Sequence, residues 1–161
     1  MAKRITLWDE CEHLDRIATK RGPMVPPWFA LRMLLIERAR FWKFIKDGDL
    51  EAVGVSGHYF IAGKSIDALV KRLAEFQCPV VVPRWAGLYQ DFRNVSAENG
   101  LLLPTALAAD LLDISPNNVS VLVRKGHLFK LEVEAGVLFS LRSIRAYAEA
   151  KTASIGRVDR L

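Results

Sequence analysis

Two periods of apolar spacing run along this chain, and their order repeats. Leu7, Cys11, Leu14 and Ile17 keep helical spacing. Thr6 and Asp9 in front of them form a capping-box pattern, with Asp in place of the usual Glu. In the second half Leu88, Phe92 and Val95 keep the same spacing. Thr105 then stands as the expected cap of a helix with apolar positions at Leu107, Ala108, Leu111 and Leu112. The segment "DIS" interrupts it. Ser115 is a good N-cap, and Pro116 suits the first helical position. Val119, Leu122 and Val123 form a buried stripe, and Gly126 falls where a helix needs a left-handed stop. "LFKLEVEAGVLFSL", with Gly136 inside it, alternates as a two-stranded hairpin does. Ser143 opens a last helix carrying Ile144, Tyr147 and Ala148.

The first half carries the same order at a fixed offset of 78. Between residues 26–68 and 104–146, ten of 43 positions are identical without a gap. They include Gly48 with Gly126, Leu50 with Leu128, and "SI" at Ser65 with "SI" at Ser143. Others keep their chemistry, as Lys46 and Arg124 do. Gly22 and Gly100 extend the match backwards. Such self-similarity is the mark of a duplicated unit. The expected organisation is a first unit over 1–78 (leading helix 6–20, core 26–75), a second over 79–151 (leading helix 85–97, core 104–151) and a loose tail over 152–161. The expected fold class is mainly α with small β wings.

Charge narrows the partner. Lys and Arg number 23 against 18 Asp and Glu, a formal net charge of +5. This balance favours a polyanion, and nucleic acid is the simplest one. No apolar run reaches the 18 or so residues of a membrane span, and "MAKRITLWDECEH" turns acidic where a signal peptide would be apolar. A cytoplasmic protein is the expectation. Cys11 and Cys78 lack C-x-x-C spacing and read as core filling. The sequence shows no P-loop, H-E-x-x-H or G-x-S-x-G motif and no metal-ligand spacing. The expected class is therefore non-enzymatic, with no cofactor and no metal.

The segment "LPTALAADLLDISPNNVSVLVRKGHLFKLEVEAGVLFSLRSIRAYAEA" resembles the MerR and phage-excisionase type of winged helix-turn-helix domain. The resemblance rests on Thr105, Ala109, Leu112, Ser115, Val123, Arg124, Gly126 and Leu128. It implies two tandem winged helix-turn-helix units, each preceded by an extra helix, the first reached through the duplication. The chain departs from the family at the turn, where Gly is common and Asp113 and Leu35 stand here. In the first copy Glu37 replaces the capping Ser, so two readings stay open: a helix-turn-helix, or one continuous helix through "LRMLLIERARFWKFI".

In such a fold the second helix enters the major groove. The second copy then presents Asn117, Asn118, Ser120, Arg124 and Lys125, with amides suited to adenine edges. The first presents Arg38, Arg40, Trp42, Lys43 and Lys46, suited to phosphates, and its wing carries His58. The alternatives are a polar turn at "PNN" and a solvated basic face on the first copy. The second wing carries Glu132 and Glu134, which repel phosphate and suit a protein partner. The expected function is sequence-specific binding of double-stranded DNA, as a transcription regulator or an excisionase-like recombination factor. A protein–protein adaptor on the same scaffold is the rival.

Overall fold

The computed structural model describes the backbone of residues 6–34, 36–76, 81–133 and 136–158. These residues are mainly helical, with two small three-stranded antiparallel sheets. They form two compact units, Met1–Glu98 and Asn99–Leu161.

The first unit opens with α1 (Leu7–Arg21) and β1 (Met24–Val25). Two short helices follow, α2 (Pro27–Leu34) and α3 (Arg38–Lys46). The hairpin β2 (Ala52–Val55) and β3 (His58–Ala62) leads into α4 (Gly63–Phe76), and α5 (Val81–Asn99) begins in this unit. The Thr6 capping box forms in full, its side chain accepting from the Asp9 N–H at 3.2 Å and Asp9 accepting from the Thr6 N–H at 3.0 Å. Cys11 and Leu14 face inward from α1. Burial drives the Cys11 thiol up to about 11, as expected of a core filler. Cys78 lies outside the described residues. The helix is broken between Leu34 and Arg38, so the reading as one continuous helix is set aside. Leu35 lies outside the described residues.

The second unit has β4 (Leu102–Pro104), α6 (Thr105–Leu112), α7 (Pro116–Arg124), β5 (Leu131–Val133), β6 (Gly136–Ser140) and α8 (Leu141–Val158). Shifted by 78, α2 and α3 coincide end to end with α6 and α7, and β3 with β6. The sheets match in order, β1-β3-β2 and β4-β6-β5, and in register: Met24 faces Ala62 as Leu102 faces Ser140. Even single hydrogen bonds recur. Gly63 donates to the Pro23 carbonyl and Leu141 to the Leu101 carbonyl, both at 2.9 Å.

The shared glycines explain the repeat's strongest identities. Gly48 and Gly126 take φ of 83° and 78° just past α3 and α7. Gly48 donates to the Ile45 carbonyl and Asp49 to that of Phe44; Gly126 and His127 do the same to Val123 and Leu122. This is a Schellman closure, which needs a left-handed residue at that point. The first hairpin turns through Ser56 and Gly57, both at positive φ, as a two-residue turn of matching twist requires.

Several expectations change. Thr105 is the first residue of α6 rather than its cap; Pro104 holds the N-cap position, with no side-chain cap bond. The last helix begins at Leu141, two residues before Ser143. Residues 152–158 continue α8 rather than forming a loose tail. The helix expected to lead the second repeat, α5, is longer than 85–97 and packs in the first unit. There the Phe92 ring lies 5.1 Å from that of Phe29. The sequence repeat is thus cut near residue 78, and the compact units after Glu98. Among the described residues no helix is long and apolar enough to cross a membrane.

Pro23 and α5 together account for one asymmetry of the repeat. A Cβ on Gly63 would lie 2.8 Å from the Pro23 carbonyl oxygen and 2.9 Å from the Tyr89 hydroxyl. The equivalent residue of the second unit is the buried Leu141. Gly63→Ala is expected to destabilise the protein by about 1–3 kcal/mol through overpacking. Gly126→Ala, whose Cβ meets nothing within 4 Å, should lose only the left-handed backbone strain, about 1 kcal/mol. Urea unfolding of both variants tests the order.

Candidate nucleic-acid interface

Each second helix is nine residues long and buries one side chain fully, Phe41 in α3 and Val119 in α7. That anchor fixes the rotation of everything else, because successive residues step by about 100° around a helix. In α3 the direction opposite Phe41 belongs to Ala39, Lys43 and Lys46, all exposed. Trp42 and Arg38 lie on one flank and Arg40 on the other. In α7 the same direction belongs to Asn117, Val121 and Arg124, with Ser120 on one flank and Asn118 on the other.

The caps differ as the residues require. Ser115 accepts a hydrogen bond from the Asn118 N–H at 3.3 Å, so α7 starts at a fixed point. Glu37 has the extended N-cap backbone but makes no side-chain cap bond. Between α6 and α7, Asp113 itself takes the left-handed conformation, φ 55° and ψ 46°. Asp tolerates this region through its short polar side chain, so no Gly is needed there.

The expected site residues therefore divide. Arg38, Arg40, Trp42, Lys43 and Lys46 all sit on α3 and are exposed. Among the described residues no carboxylate forms an ion pair with Arg38, Lys43 or Lys46. The Arg40 guanidinium lies over the Phe44 ring at 5.4 Å. Asn117, Ser120 and Arg124 share one side of α7. Asn118 points about 100° away from Asn117, and Lys125 is the C-cap of α7. His58 opens β3 and is half-buried. Strand side chains alternate, so it leaves the strand on the face opposite Tyr59. The structure does not bring it to the side of β3 that α3 touches.

Some residues of this surface gave no signal in the sequence. Tyr59 is one: its ring lies 5.3 Å from that of Trp42, tying α3 to the hairpin. Its phenol is held above the usual range by burial, partly opposed by Arg38. Phe129, two residues before β5, is 71% exposed, and Val137 on β6 is also exposed. Glu132 is paired with Lys130 at 3.0 Å, which offsets part of its charge. Glu134 lies outside the described residues. Among the described residues no group of three His, Cys, Asp or Glu side chains could hold a metal ion.

No protein-family model matches this chain, and no curated protein or solved structure matches it significantly.

The capping difference gives a crossed prediction. Ser115→Ala should cost about 1 kcal/mol by removing the α7 cap. Glu37→Ser should stabilise by about 0.5–1 kcal/mol by supplying the cap that α3 lacks. Urea unfolding of the two variants measures both signs.

Proposed function

We propose that the chain is a pair of winged helix-turn-helix units of the MerR and excisionase type. It binds double-stranded DNA without catalysis, in the cytoplasm, as a transcription regulator or an architectural recombination factor. The observation that carries this reading is the pair of second helices. Each buries a single residue and turns the remaining polar and basic side chains of its first two turns to solvent. A short helix with such a face is what a major groove admits. The net charge of +5 suits the phosphate backbone.

The two faces divide the work. α3 carries four cations and no carboxylate, chemistry that neutralises phosphate. α7 offers amide and hydroxyl groups beside Arg124, chemistry that reads base edges. Phosphate contacts set register and affinity, and base contacts set sequence preference. The outward direction of Asn117 makes it the main reader, with Asn118 at the margin.

A second reading has its own observation. The exposed Phe129, two residues before β5, and Val137 on β6 suit a protein partner better than a phosphate. In that adaptor reading the second hairpin is the contact surface and DNA is not bound.

Salt-series binding to a duplex selected from a random pool separates the two. Lys43→Ala with Lys46→Ala should weaken binding to all duplexes and flatten the salt slope by about two units. Asn117→Ala should cost about 1–3 kcal/mol on the selected duplex and little on random DNA. Asn118→Ala should cost less. Absence of salt-dependent binding in the unaltered protein leaves the adaptor reading alone.

A further inference from the structure

Trp42 is the one large apolar side chain on the outer part of either second helix that is substantially exposed, at 45%, among the described residues. It is not loose. Its ring sits 5.3 Å from Tyr59 on the hairpin and 6.1 Å from the buried Phe41, both within the range of favourable aromatic pairs. An aromatic ring is thus held fast on two sides while nearly half of it faces solvent. Around it the surface is cationic. Arg38 lies one helical turn before it, Lys46 one turn after, and Lys43 beside it. The second unit has nothing of the kind, since Ser120 and Val137 occupy the equivalent positions.

We propose that Trp42, propped by Tyr59 and framed by Arg38, Lys43 and Lys46, packs against the 5-methyl group of thymine in the major groove. The first unit then selects sequence as well as binding phosphate. This inference rests on the DNA-binding reading above. The chemistry follows from the surroundings. The cations bring a polyanion to the face, and a duplex offers the phosphates they need. Within the major groove the thymine methyl is the apolar feature of the base edges, and apolar side chains read it. A rigid Trp gives up little conformational freedom on contact, which is why Trp recurs at the centres of binding surfaces.

The test changes the DNA before it changes the protein. A duplex selected from a random pool is compared with the same duplex carrying deoxyuridine for thymidine, which removes only the methyl groups. The unaltered protein should bind the uracil duplex about fourfold more weakly or worse, the worth of one buried methylene-sized group. Trp42→Ala should bind the thymine duplex more weakly and treat the two duplexes alike. Val121→Ala, altered on the outward side of α7, should keep the full preference for thymine. Trp42→Leu replaces the alanine variant if that one does not fold, and should keep part of the preference.

The inference is overturned if the unaltered protein binds both duplexes equally. It is also overturned if Trp42→Ala keeps the full thymine preference, or if Val121→Ala is the change that abolishes it. A ring that only props the hairpin gives the second of these results. Tight but uracil-indifferent binding removes this inference alone. No binding to either duplex removes the DNA reading and this inference with it.

Discussion

One buried side chain holds each second helix in place, and the candidate interface depends on it. Nine residues are too few for a helix to be stable in water by itself. α3 persists because Phe41 is fully buried, and α7 because Val119 is. The far end of each is closed by the same Schellman arrangement at Gly48 or Gly126. The anchor also sets the rotation. With Phe41 inside, Lys43 and Lys46 face out. A slip of one residue would bury Trp42 and turn Lys43 toward the flank where Trp42 now lies. Which side chains meet a partner is therefore decided by core packing.

Much of this arrangement was legible in the sequence, for a physical reason. The recurrence of Gly48 at Gly126 marks a backbone conformation that other residues reach only with strain. Ser115 with Pro116 marks a helix start. Both signals act within a few residues, so a linear reading finds them. The break between Leu34 and Arg38 was left open: the offset of 78 pointed to it, while Glu37 is a weak capper and the local pattern also fits a continuous helix. The partner of α5 was not legible. Periodicity at Leu88, Phe92 and Val95 shows that a helix has an apolar side, but not what covers it. That Phe92 meets Phe29 is decided by tertiary packing. The Trp42–Tyr59 pair escaped for the same reason, since its members are 17 positions apart and on different elements. His58, read as a phosphate contact on the first wing, leaves β3 on the face opposite Tyr59 by strand alternation.

The hairpins qualify the electrostatic argument. Glu132 reads as a charge that repels phosphate, yet Lys130 stands 3.0 Å from it. An exposed pair of this kind contributes little stability, but it offsets the charge of Glu132. On the hairpin the exposed Val137 faces Glu132 across the strands, and Phe129 stands exposed two residues before β5. The first hairpin is tied to the body of its unit by Ser56, whose hydroxyl donates to Glu10 of α1 at 2.5 Å.

The distribution of identities between the repeats sets the two second helices apart. Ten residues are shared across the 43 aligned positions, and none of them lies in α3 or α7. The shared positions include the buried Ala30 and Ala108 in α2 and α6, the left-handed glycines, and the Leu50 and Leu128 that follow them. Those sites are held by backbone geometry and packing. The second helices keep the same length and the same buried position while changing every residue, even at the anchor, where Phe41 faces Val119. Here the scaffold is repeated and the outward chemistry is replaced, cationic and aromatic in one copy, amide and hydroxyl in the other. On the DNA reading proposed above, the two chemistries address two different features of a duplex, its phosphates and its base edges.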